Sequence, residues 1–313
     1  MRCAVIACFW LMMGSGIADA KVVYGAPHRA ADQPRRGWMA PDANPNHAWL
    51  YVVGYDNNVV VIHDLDRIGF PEIGEITDGV STPVGVTVDG KGNVYVGNTG
   101  SGTLTIYPPG STTPSVTLSE GLTTPTCAAI DAGGNIWVAN RGSAPSITVF
   151  PPGQTAPSFI ITSPLISDVV EDFFDSSGNL VFGDFSSGMN MIPAGSQQPV
   201  SLGHQNETHS QGTMEDPTTG DLFVDTYPGP RSRHNIVYVY KPGQTAPSRR
   251  LHTTLSANGI ATGSIKGKQY MFTTGWETNQ VVMFRSMDST PVAYISTAAQ
   301  STAGVAFKPA GVL

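Results

Sequence analysis

The chain has 313 residues, with 17 Lys and Arg against 24 Asp and Glu and a net charge of −7. An acidic chain with no basic run excludes nucleic acid, which needs cations to meet its phosphates, and offers nothing to an anionic membrane surface. Charged residues make up only 13% of the chain while Gly reaches 35 and Pro 24, a turn-rich composition long enough for one large β domain.

Residues 1–20 read as a secretory signal peptide. Arg2 supplies the charged start, Ala4 to Met13 the apolar core, and Ala18-Asp19-Ala20 a small-x-small cleavage site. The apolar run is too short for a membrane span, and no other segment is apolar enough for one. The expectation is export to the periplasm or the extracellular space. Cleavage before Lys21 removes Cys3 and Cys8, so that Cys127 is left as a small buried core thiol. Residues 21–47 are rich in Pro, Arg, Asp and Asn and lack periodicity. They are expected to form an extended arm anchored by Trp38.

Residues 48–313 are repetitive. Pro151-Pro152-Gly153-Gln154-Thr155-Ala156-Pro157-Ser158 returns as Lys241-Pro242-Gly243-Gln244-Thr245-Ala246-Pro247-Ser248, with weaker copies at Pro108 and Pro193. The shared glycines are Gly110, Gly153, Gly195 and Gly243, and a period of this length marks stacked or radial repeats. Each repeat carries short β-branched or aromatic runs bounded by Gly, Asn, Asp or Pro, such as Pro83-Val84-Gly85-Val86-Thr87-Val88 and Val94-Tyr95-Val96-Gly97-Asn98. An Asp-x-x-Gly-Asn turn joins the two runs, with Gly supplying positive φ. Four antiparallel strands per repeat describe a propeller blade. Strands such as Ile136-Trp137-Val138 are apolar on both faces, so both faces must be covered.

The first blade begins at Trp49 and lacks an innermost strand. Residues 303–308 match the innermost strand at 84–89 and are expected to supply it, closing the ring. Matched second-strand ends at Gly54, Asn98, Asn140, Asp184, Thr226 and Thr274 predict an all-β, six-bladed β-propeller. A closed ring has no free sheet edge, which favours a monomer.

The pattern Pro-x-Gly-Val-x-Val-Asp-x-x-Gly-Asn-Val-Tyr-Val-x-Asn at Pro83 to Asn98 resembles NHL-type and gluconolactonase-like six-bladed propellers. Asn258-Gly259-Ile260-Ala261 is similar to a gluconolactonase segment. The resemblance implies a divalent metal (Ca2+, Mg2+ or Zn2+) held at the central opening by Glu, Asn and Asp. Asn258 matches one ligand, but Thr273 or Thr274 stands where the family places an Asp.

Alternation of strands puts Asn98, Asn140, Asp168, Asp184, His209, Gln211 and Asn258 on one face of the ring. Most innermost strands are small near the axis, at Gly85, Ala128, Gly212, Gly259 and Gly304, but the fourth carries Glu171 and Asp172. A place where the local rule fails is a candidate site, and strand alternation lets only one of the pair face the channel. Glu171, Asp172 and Asp184 are therefore the candidate catalytic residues. Asn98, Asn140, Arg141, Gln211 and Asn258 are the candidate ligand contacts. Glu171, Asp184, Asn140 and Asn258 form one candidate metal set, with Glu207 and His209 as a second pair; a similar Glu-x-His pair occurs in virginiamycin B lyase. The insertion Arg231-Ser232-Arg233-His234 projects from the same face.

Two readings follow. One is an exported binding protein presenting its channel-end face to a small molecule, glycan or protein partner. The alternative is a metal-dependent lactonase, hydrolase or lyase with its site in the channel.

Overall fold

The computed structural model describes residues 23–24, 36–205, 209–227, 236–252, 257–276, 278–286 and 288–312. The expected signal peptide, Glu207 and the insertion at 231–234 lie outside the described residues.

Six antiparallel sheets form six blades. Blade 2 runs Pro83–Val88, Val94–Asn98, Thr103–Tyr107 and Val116–Leu118 from the axis outward, and blades 3, 4 and 5 repeat this order. In blade 1 the innermost strand is Thr302–Lys308, paired antiparallel with Trp49–Gly54. The C-terminal strand thus closes the ring, as the sequence predicts. The N-terminal arm adds edge strands. Trp38–Met39 pairs antiparallel with Glu72–Ile76 of blade 1, and Val23–Tyr24 pairs parallel with Pro291–Ser296 of blade 6.

The repeat is enforced by two turns. In the first, one Asp oxygen accepts two backbone amides and the other accepts an Asn side chain. Asp89 takes Lys91 N, Asn93 N, Asn93 Nδ2 and the Tyr95 hydroxyl at 2.8–2.9 Å. Asp131 does the same with Gly133, Asn135 and Trp137 Nε1. In the second, the Pro-Gly turn, Ser111, Gln154, Ser196 and Gln244 each donate N–H to the residue three positions back. Gly110, Gly153, Gly195 and Gly243 all sit at φ between +70° and +74°, where a Cβ would crowd the backbone.

The core lies between blades rather than within them. Six apolar clusters fill the six blade interfaces. One example joins Tyr51, Val53 and Ile62 of blade 1 to Val86, Val94 and Val96 of blade 2. This explains the strands that are apolar on both faces: each face meets a neighbouring blade.

Candidate functional site

The innermost strands begin on one face of the ring, here the entry face, and end on the other, the exit face. Each described innermost strand carries a register shift two or three residues in. The shift brings Gly85, Cys127, Glu171, Gly212, Gly259 and Gly304 to equivalent positions around the axis. Here the backbones nearly touch. A Cβ on Gly85 would lie 2.4 Å from Thr126 O, one on Gly259 2.8 Å from Ala303 O, and one on Gly304 2.7 Å from Val84 O.

Glu171 departs from this ring and uses the room its neighbours leave. Its Oε2 accepts the backbone N–H of Thr213 at 2.6 Å and of Ile260 at 3.1 Å, one and two blades away. Burial raises the Glu171 carboxyl well above its usual range, against the two amides, which lower it. Asp172 points the other way and is buried, and no hydrogen bond of ordinary geometry reaches either of its oxygens. Burial pushes it up to about 7, against the Cys127 thiol, which lowers it. Burial and then the two carboxyl groups push the Cys127 thiol up as well. These three residues line an exit-face cavity of about 370 Å³ with Phe173, Phe174 and Phe307.

On the entry face, the second-strand ends serve the scaffold. Asn98 Oδ1 accepts Ser81 N at 3.0 Å, while its Nδ2 donates to Val96 O and Thr105 Oγ1. Asn140 repeats this with Thr123 N and Thr148 Oγ1. Asp184 accepts five hydrogen bonds, from the amides of Ser167, Asp168, Ser186 and Ser187 and from the Ser167 hydroxyl. Burial pushes its carboxyl up, but those donors outweigh it and hold the group below the usual carboxylate range. All three residues are fully buried. They clamp the loop that enters each blade and leave no atom for a ligand.

The next residue along does reach the mouth. Tyr55, Thr99, Arg141, Phe185 and Tyr227 each donate a backbone N–H to the residue just before the innermost strand, which makes them equivalent. Trp276 follows the matching strand end in blade 6. Four of these six side chains are aromatic and one is Arg. Tyr55, Trp276, Phe185, Tyr227 and Arg141 ring a cup of about 460 Å³ on the axis, with Val84, Val170, Asp168, Gln211 and Asn258 completing it. The Tyr55 and Trp276 rings meet at 4.7 Å and 50°. His209 stacks on Phe185 at 4.3 Å and 19°, and its Nδ1 lies 2.9 Å from Phe185 O, so it braces the wall. Arg141 Nη1 stands 3.7 Å from Asp168 Oδ1, short of a hydrogen bond. Burial raises the Asp168 carboxyl; Arg141 pulls it back and Asp184 adds to the rise.

Of the expected ligand contacts, the structure brings Arg141, Gln211 and Asn258 together and withdraws Asn98 and Asn140. The four-residue metal set does not converge. Asp184 and Asn140 are saturated within their own blades, Glu171 lines the exit cavity, and Asn258 lines the entry cup. The donors present do not fit one ion. Among the described residues, His47, Asp64 and Asp66 do cluster. His47 Nδ1 lies 2.8 Å from Asp64, Arg67 3.2 Å from Asp64 and Lys266 3.7 Å from Asp66, so the cluster is a polar knot tying the arm and blade 6 to blade 1.

No protein-family model matches the chain, and no curated protein matches it. Solved structures do. A structure of the nidogen/laminin complex aligns with a TM-score of 0.69 at 16% identity, covering 85% of this chain and 99% of that one. A protein of unknown function from Bacteroides caccae aligns with a TM-score of 0.62 at 13% identity, covering 83% and 98%. Hydrazine synthase of Kuenenia stuttgartiensis gives 0.56 at 16% identity, covering 83% and 85%. At these identities the likeness is one of fold.

Proposed function

We propose that the protein is an exported binding protein that takes its ligand in the entry-face cup. The observation that carries this reading is the ring of Tyr55, Arg141, Phe185, Tyr227 and Trp276 at one repeat position, around Asp168, Gln211, Asn258, Val84 and Val170. Aromatic walls with a few convergent polar groups are the usual make-up of a small-molecule site, and roughly 300–1,000 Å³ is the usual size. One structural neighbour comes from the nidogen/laminin complex, so a protein partner that inserts one side chain into the cup is a variant of the same reading. The metal-dependent hydrolase reading is weaker, because its donors lie on two faces or are spent within their blades.

The test is a ligand-observed NMR screen of a mixed fragment library against the purified protein and a Phe185→Ala/Trp276→Ala double variant. Fragments that bind the wild type and are lost in the variant support the cup. Equal binding to both proteins, or none to either, overturns it.

A further inference from the structure

Resting on that reading, we infer that the ligand of the cup is a neutral saccharide. The inference is carried by the types of polar group that line it.

Besides the Tyr55 and Tyr227 hydroxyls and the Trp276 N–H, the polar lining groups are planar: the Arg141 guanidinium, the Asp168 carboxylate and the Gln211 and Asn258 carboxamides. No lysine and no second arginine is among the described lining residues. Among the described lining residues the one cation faces the one anion, so these groups favour neither an anionic nor a cationic ligand. What remains is a neutral ligand that hydrogen-bonds at many points.

The roles of these groups call for hydroxyls. Arg141 can only donate and an ionised Asp168 can only accept, while a carboxamide does both. Asp168 Oδ1 is shielded from solvent and makes no hydrogen bond, although Arg141 Nη1 is 3.7 Å away. A hydroxyl is a small neutral group that can accept from the one and donate to the other. The Asn258 carboxamide likewise takes no side-chain hydrogen bond among the described residues. Planar forks of this kind engage two neighbouring hydroxyls at once.

The walls supply the other half of sugar chemistry. A pyranose presents a face of C–H groups, and the negative face of an aromatic ring attracts such weakly positive edges. Blades 6 and 1 give Trp276 and Tyr55; blades 4 and 5 give Phe185 and Tyr227. Rigid aromatic walls lose little conformational freedom on binding.

The experiment is saturation-transfer NMR with neutral di- to tetrasaccharides of glucose, galactose, mannose and N-acetylglucosamine, run beside charged and non-sugar fragments of similar size. The proteins are the wild type, Trp276→Ala, Trp276→Phe and Arg141→Gln. The expected result is saccharide binding that is little changed by salt, weakened about tenfold or more by Trp276→Ala, weakened by Arg141→Gln, and retained by Trp276→Phe. Because Trp276→Phe keeps an aromatic ring, it separates lost stacking from lost folding. Fragment hits that are all non-sugar or charged, and that fall with Trp276→Ala, overturn the saccharide and leave the cup standing. Saccharide signals unchanged in the Ala and Gln variants also overturn it. No cup-dependent hit of any class overturns both.

Discussion

Glu171 of blade 4 accepts a hydrogen bond from the backbone amide of Ile260 in blade 6, at 3.1 Å, from the same oxygen that holds Thr213 of blade 5. One carboxyl oxygen therefore ties three blades together at the axis. Both amides lie at the register shifts of their inner strands, and Glu171 accepts from each.

Glu171→Ala strips both amides of their acceptor in a buried place. Each such loss costs about 1–3 kcal/mol, so the variant is expected to lose about 2–6 kcal/mol in urea unfolding. Glu171→Gln keeps an acceptor oxygen and is expected to lose about half as much or less. Equal stability of all three proteins would remove Glu171 from the scaffold.

Asp172 sets a pH dependence. The folded carboxyl keeps its proton up to about pH 7, whereas an unfolded aspartate loses it near pH 4. Between those values the folded state holds more protons than the unfolded state, so stability falls as pH rises. The contribution is complete below about pH 4 and gone above about pH 7. Asp172→Asn is expected to flatten this slope and to be more stable than wild type at pH 8, by roughly 2–4 kcal/mol at most. Asp184, held low by its donors, acts in the opposite sense and only in acid. Melting temperatures of wild type and Asp172→Asn from pH 5 to 8 check the sign.

Two glycines predict different costs for the same change. At Gly110, with φ at +70° and no atom near the missing Cβ, Ala is expected to cost about 1–2 kcal/mol from backbone conformation alone. At Gly85 the new methyl would strike Thr126 O at 2.4 Å. The two inner strands must part, at about 3 kcal/mol or more. Denaturant midpoints of the two variants measure the difference.

Cys127 is buried beside Asp172, with its thiol held in the neutral form. The thiolate is the reactive species. A thiol reagent is expected to leave the native protein unlabelled at Cys127 at pH 8 and to label it on unfolding. Rapid labelling of the folded protein would show that the exit cavity admits reagents to the channel.

The fold was legible because turns are local chemistry. Asp89, Asp131 and Asp175 each build the same hydrogen-bonded loop from residues within six positions of themselves, and such loops leave a periodic trace in the sequence. The ring-closing strand was legible for the same reason. The cup was only half legible, and the reason is physical. Asn98, Asn140 and Asp184 attract notice by resembling one another, and they do so because all three clamp the same loop. The position whose side chains ring the cup shares no such duty. It varies freely among Tyr55, Thr99, Arg141, Phe185, Tyr227 and Trp276, and similarity alone passes over it. The signal was present one residue further on, in the aromatic content of a column rather than its sameness. For Glu171 and Asp172 the sequence showed a broken rule. Only the register shift decides that Glu171 spans the axis while Asp172 turns toward Cys127.

The pairing of Thr302–Lys308 with Trp49–Gly54 also sets a timetable. Blade 1 cannot be finished until five later blades have been synthesised, so its half-built sheet must wait with an open edge. Contacts that span so much of the chain form slowly, and an unpaired edge invites association with other chains in the interval. The step that makes the ring durable is thus also the one at which a crowded nascent chain is most exposed. Substitutions in this strand should act first on the yield of soluble protein and only second on the stability of what has closed.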